Sequence, residues 1–167
     1  IMKGYIKPCW NMEDFYNLPY CEAPFYNDDQ INEYVSCGHT KKHMMVHKYH
    51  EPNPMPSCIK EKIIPQFSSW SNVTSAINLF NPGTYLPYHN DSFLKYKQIF
   101  GITSEDIVRA VIMLEDWQPG QIILIEDKSY SGWKSGQYWV WENDTKHSFY
   151  NMSLVKRYAL QLTGTIK

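Results

Sequence analysis

From Glu61 onward the chain is a succession of short apolar runs rich in Ile, Val, Thr, Tyr, Phe and Trp, each bounded by Gly, Pro, Asn or Asp. Such runs are strand signals. They predict strands at 62–67, 73–80, 84–88, 107–114, 121–126, 137–141, 146–150 and 157–165. Eight short strands in a row suit a mainly β fold, a double-stranded β-helix (jelly roll, cupin-like) of two sheets. The turn residues between them fit, because Asn81-Pro82-Gly83, Gln118-Pro119-Gly120, Ser131-Gly132 and Ser135-Gly136 supply a fixed proline or a glycine free to take positive φ. Residues 92–104 read as a helical or irregular insertion.

Before residue 61 the texture changes. A weak helical period covers 28–35, with Asn27 or Asp28 as N-cap, and the Pro-rich stretch 51–56 reads as an extended connector. The expected organisation is a single domain over 1–167. Residues 1–60 form a short irregular or helical N-terminal extension packing on the barrel, and 61–167 form the double-stranded β-helix core.

Composition narrows the field. At 167 residues, with 43% hydrophobic and 16% aromatic side chains, the chain buries a core without metal or disulfide staples, so a metal bound here serves chemistry more than folding. Sixteen basic residues against seventeen acidic ones give a net charge of −1, and the cations are scattered. A nucleic-acid partner is therefore not expected. No apolar run approaches the roughly 20 residues that span a bilayer, and no secretory signal pattern opens the chain, so a membrane-free, cytoplasmic protein is expected. Cys9, Cys21, Cys37 and Cys58 match no zinc or redox spacing and read as reduced thiols. His39, His43, His47 and His50 lie among Lys41, Lys42 and Lys48, which would repel a cation; the segment reads as a solvated basic flap over the active site. The aromatics Trp133, Tyr138, Trp139 and Trp141 read mostly as core or sheet surface.

The chemistry gathers around Tyr88-His89-Asn90-Asp91, an imidazole and a carboxylate two positions apart at the end of a strand, hence on one face. Two His and one carboxylate on one side of an octahedron are the usual holder of O2-activating Fe(II). His147, following a later strand, supplies the third ligand. Ten residues on, Arg157 opens the alternating strand Arg-Tyr-Ala-Leu-Gln-Leu-Thr-Gly and points inward with Ala159 and Gln161, a buried guanidinium suited to a carboxylate. The order of H-x-D, distal His and then cation is more specific than any one part.

Over residues 76–164 these features resemble the Fe(II)/2-oxoglutarate-dependent dioxygenase superfamily. Asn78-Leu79-Phe80-Asn81-Pro82-Gly83-Thr84-Tyr85-Leu86-Pro87-Tyr88-His89-Asn90-Asp91 is similar to the AlkB-like pattern N-x-Y-x-P-G-x-x-L-x-x-H-x-D, while Gly136, His147, Asn151 and Arg157 look like the prolyl-hydroxylase branch. Three positions depart: Phe80 and Met113 stand where hydroxyl-bearing tyrosines contact the cosubstrate, and Thr163 stands where AlkB-like dealkylases carry a second Arg. The resemblance implies His89, Asp91 and His147 as iron ligands and Arg157 on the far carboxylate of 2-oxoglutarate. Asn78 and Gln161 would then compensate for the missing hydroxyls. It further implies O2 as co-reactant, ascorbate as accessory reductant, succinate and CO2 as products, and hydroxylation of a peptide side chain such as proline or of a small molecule. The competing readings are an AlkB-like nucleic-acid dealkylase and a non-oxidative, cupin-like metal-binding protein. No oligomeric state follows from the sequence.

Overall fold

The computed structural model describes residues 1–103 and 106–166. In chain order the elements are β1 (Met2–Tyr5), α1 (Glu13–Tyr16), β2 (Cys21–Pro24), α2 (Asp28–Ser36), β3 (Met45–His50), β4 (Trp70–Phe80), β5 (Thr84–His89), α3 (Leu94–Phe100), β6 (Ile107–Met113), β7 (Gln121–Ile125), β8 (Lys128–Tyr130), β9 (Gln137–Glu142), β10 (His147–Asn151) and β11 (Arg157–Ile166). Two antiparallel sheets result, one of order β1-β9-β6-β11-β4-β3-β2 and one of order β5-β10-β7-β8. The fold is the expected double-stranded β-helix.

The larger sheet is buried on both faces, which explains its nearly continuous apolar runs. Its inner face, with Val46, Phe80, Val111, Met113, Trp139, Trp141 and Ala159, packs on Ile123, Ile125 and Phe149 of the smaller sheet. On its outer face, Ile77, Leu79, Ile112, Leu160 and Leu162 lie under Ile6, Phe15, Ile59, Ile63 and Phe67. Residues 1–60 thus supply β1, β2 and β3 to the larger sheet and part of the cover of its outer face.

Two expectations are corrected. The strand expected at 62–67 is helical, a π turn at Ile59–Ile63 running into a 3-10 turn at Ile64–Phe67. Ile59, Ile63 and Phe67 recur every four residues and are buried together, so helical spacing overrides the β preference of isoleucine. The supposed basic flap is in part a sheet strand: β3 pairs with β4 and β2, and Val46 and Tyr49 are buried on opposite faces. Nor does His39 stand free in solvent, since its Nδ1 lies 2.5 Å from the Tyr85 hydroxyl.

Elsewhere local chemistry acts as read. Asn27 caps α2 by accepting from the Gln30 N–H at 3.0 Å. Gly136 has φ +93°, and a Cβ there would lie 2.0 Å from the Ile6 carbonyl oxygen, so only glycine lets β1 close onto the barrel. Within the insertion, α3 occupies Leu94–Phe100, while Ser104 lies outside the described residues. All four cysteines are free, and no helix among the described residues is long and apolar enough to cross a membrane.

Candidate metal centre

β5 and β10 are neighbours in the smaller sheet, and their register sets His89 directly opposite His147. The two imidazole centroids are 4.6 Å apart. Asp91 lies beyond the end of β5, so it reaches the histidines by a turn and not by strand alternation. That turn runs into Phe93, a buried bulky residue held at φ +53°, a strained conformation fixed by packing against Tyr96 and Ile107. Asp91 Oδ1 is 3.7 Å from His89 Nε2, and Oδ2 is 3.4 Å from His147 Nε2. One ligand atom from each of the three falls within 4.8 Å of the others.

The tautomers follow from the backbone. His89 Nδ1 contacts the Pro87 carbonyl at 2.6 Å, and His147 Nδ1 contacts the Thr145 carbonyl at 2.9 Å. A carbonyl only accepts, so each Nδ1 carries the proton and each Nε2 presents a lone pair toward Asp91. This is how proteins orient metal-binding imidazoles. Burial lowers the pKa of His147 to about 4, keeping the ring neutral and able to ligate. Burial pushes the Asp91 carboxyl up, but the charges that face it, Arg109 first, outweigh burial and hold the group well below the usual carboxylate range.

Arg109 Nη1 approaches Asp91 Oδ2 at 2.6 Å, an ion pair by distance. Beyond this ion pair, buried Oδ2 has no hydrogen-bond partner. A carboxylate oxygen in that condition, flanked by two imidazole lone pairs, fits a divalent cation. Arg109 is steadied from behind, its Nε and Nη2 each 3.3 Å from the Thr163 hydroxyl and its Cζ 4.6 Å from the Phe93 ring. Thr163 thus serves the arginine on the neighbouring strand, β6.

The triad opens into a cavity of about 120 Å³ whose polar lining includes Lys48, Asn78, Arg109 and Gln161, with Phe25, Tyr26 and Trp141 among its aromatic walls. Asn78 Nδ2 donates to Gln161 Oε1 at 3.1 Å, and the buried Asn78 Oδ1 has no partner. Lys48 is the register partner of Asn78. Burial lowers the Lys48 pKa to about 8, and Arg109 adds in the same direction against the pull of Asp91.

Arg157 points inward as expected but does not line this cavity. It lies at the other end of the barrel, its Cζ 4.4 Å from the Phe80 ring centroid, 5.4 Å from Phe149 and 6.0 Å from Trp133. Nε, Nη1 and Nη2 are buried with no acceptor. Burial lowers its pKa to about 9, so it remains a cation at neutral pH. Phe149 both walls the cavity and touches the guanidinium, and so stands between the two. Asn151 fixes the approach to β11, because its Nδ2 donates to the Phe80 carbonyl at 2.8 Å and to that of Val155 at 2.9 Å.

The structure therefore brings His89, Asp91 and His147 together, with Asn78 and Gln161 in the same cavity and Arg157 sealed behind it. Lys48 and Arg109 were missed by sequence reasoning. The alternation Met-Val-His-Lys-Tyr-His in β3 was the available signal for Lys48, and the H-x-D acid's need for a countercharge was the signal for Arg109.

No protein-family model matches this chain, and no curated protein matches it in sequence. Among solved structures, a prolyl-4-hydroxylase from Pseudomonas putida matches with TM-score 0.55 and 13% identity over 93% of this chain and 97% of that one. A predicted oxalate decarboxylase from Thermotoga maritima matches with TM-score 0.45 and 13% identity, over 73% of this chain and 82% of that one. A cupin domain from Bordetella pertussis matches with TM-score 0.38 and 14% identity, over 57% of this chain and 81% of that one. The likeness is one of fold: the chain is a double-stranded β-helix carrying a His-Asp-His group that fits a metal.

Proposed function

We propose that this protein is an Fe(II)- and 2-oxoglutarate-dependent dioxygenase that hydroxylates a small molecule or a peptide side chain. The observation that carries the reading is the orphaned Arg157 guanidinium, placed behind a triad whose two Nε2 lone pairs and Asp91 carboxylate converge. A buried cation with no acceptor is costly, and a carboxylate from a bound dicarboxylic oxo acid would offset that cost. A metal-only cupin has no use for such a group.

His89, Asp91 and His147 would hold the iron, leaving the remaining coordination positions to ligands from the cavity. When bound, iron with 2-oxoglutarate and O2 supplies the oxidising power: one oxygen atom enters the substrate C–H bond, the other enters succinate, and CO2 leaves. The protein's part is to bind and orient. Carbonyls of Pro87 and Thr145 fix the imidazoles, Thr163 and Phe93 fix Arg109 beside Asp91, and Trp141, 4.7 Å from His147, keeps water from one side of the ligand set.

Anaerobic addition of Fe(II) and then 2-oxoglutarate tests the reading, since the chelate gives a visible charge-transfer band. The band is expected with wild type and not with His89→Ala. Its absence from wild type would overturn the assignment. A succinate-release screen across prolyl peptides, free amino acids and methylated oligonucleotides then selects among substrate classes.

A further inference from the structure

Apart from the iron ligands, the cavity has one charged side chain that the proposed reaction leaves without a task. Lys48 reaches it from β3, inside the region that precedes the barrel strands. Its backbone pairs with Cys21 of β2 and Asn78 of β4, the residue is half-buried, and its ammonium makes no ion pair with any carboxylate among the described residues. Arg109, the other cation in the lining, is already committed to Asp91 at 2.6 Å.

The charges do not balance. The lining holds Lys48 and Arg109 against Asp91 alone, which leaves one positive charge, and a divalent metal would raise the excess to three. Arg157 behind Phe149 adds a fourth. A dicarboxylate bound to the metal cancels two of these, so an uncompensated cation still faces whatever enters next. Held at the cavity wall, that cation attracts an anion.

Resting on the reading above, we infer that Lys48 is a second anion anchor, distinct from Arg157, whose Nζ binds a carboxylate of the molecule seated beside the triad. Since the proposed function gives the far carboxylate of the cosubstrate to Arg157, the carboxylate on Lys48 belongs to the substrate, which is thereby an anionic compound. Asn78, the register partner of Lys48, presents an amide at the same level of the barrel for a second contact. A lysine that only lays its stem along apolar surface and leaves its charge in water would show no such preference.

The test uses the full chain loaded with Mn(II), with binding read by tryptophan fluorescence and ligand-observed NMR. Wild type, Lys48→Met and Arg157→Met are titrated with 2-oxoglutarate. Each is then titrated, with 2-oxoglutarate saturating, with a panel of amino acids and short carboxylic acids beside their primary amides. Wild type is expected to favour acids over amides, and Lys48→Met to lose that preference by about tenfold or more, the usual effect of one charge-assisted hydrogen bond. Its Mn(II) affinity should remain and its unfolding midpoint should not fall, showing an intact site. If Lys48→Met instead weakens 2-oxoglutarate itself while Arg157→Met does not, Lys48 anchors a carboxylate but that of the cosubstrate. Equal affinities of wild type and Lys48→Met for every acid, or no preference of wild type for acids over amides, would overturn the inference. Failure of the iron chelate band with Lys48-dependent acid binding retained would overturn the oxygenase reading alone.

Discussion

The two ends of the barrel interior are built on the same strands and the same inward period, yet they treat polar groups in opposite ways. At the open end, Asp91, Arg109, Thr163, His89 and His147 contact one another or a backbone carbonyl, and the groups left over face a cavity. At the sealed end a single guanidinium lies among Phe80, Phe149 and Trp133 with no acceptor at all. Cation–π contact offsets part of the desolvation but offers no lone pair to the guanidinium N–H groups. The open end is organised by the protein itself, whereas the sealed end is complete only with something added. In the proposed function that addition is the far carboxylate of the cosubstrate, and Arg157 is a binding group.

The largest effect that would break this contrast lies at the open end. His89→Ala removes one of three convergent ligands and should lower affinity for Mn(II) or Fe(II) by at least about 100-fold, above the loss seen for groups that merely orient a ligand. Calorimetric titration measures it, and an unchanged affinity would mean that the three side chains do not form the metal site. At the sealed end, Asn151→Ala deletes the amide that joins the Phe80 and Val155 carbonyls and leaves them unpaired. A loss of about 2–3 kcal/mol in urea unfolding is expected.

Arg157→Met sharpens the comparison because its expected sign is unusual. Methionine fills the same volume among Phe80, Phe149 and Trp133 without a charge, so the ligand-free protein should gain about 1–3 kcal/mol of stability. The same variant should bind 2-oxoglutarate at least about tenfold more weakly. A destabilised ligand-free protein would show instead that the guanidinium holds the fold together, and the contrast between the ends would collapse.

How much of this was legible in the sequence follows from the same physics. Strands from β4 onward, the short and mostly exposed β8 apart, show their apolar runs because their side chains meet the core, and the triad showed itself by the order of H-x-D, distal His and cation. Lys48 and Arg109 sit on inward positions, where pattern reading expects apolar side chains; a polar residue there has a reason only once the cavity is known. β3 was hidden for that cause, its inner row being Val46 and Lys48 and its outer row including His47 and Tyr49. The turn at 59–67 was hidden for another, since isoleucines spaced by four satisfy either a strand or a helix until a sheet face needs covering. Sealing by Phe149 was not legible at all, being a matter of which side chains meet across the two sheets.

The smallest expected effect concerns the lysine at the open end. Burial holds its folded pKa at about 8 against 10.5 for the free side chain, with the charges of Arg109 and Asp91 facing it from β6 and the loop after β5. Between those values the unfolded chain binds the proton that the folded chain has released, so this group's contribution to stability rises as pH is raised from 8 to 10.5. Below pH 8 both states hold the proton and the group destabilises the fold by a constant amount. Water reaching the ammonium through the cavity limits the gain to about 1 kcal/mol. Unfolding of wild type and Lys48→Met compared across that window isolates the term, because other titrations cancel. Wild type should approach the variant's stability as the pH rises; parallel curves would mean that the ammonium is fully hydrated, and that the open end satisfies its cations with water as readily as with a ligand.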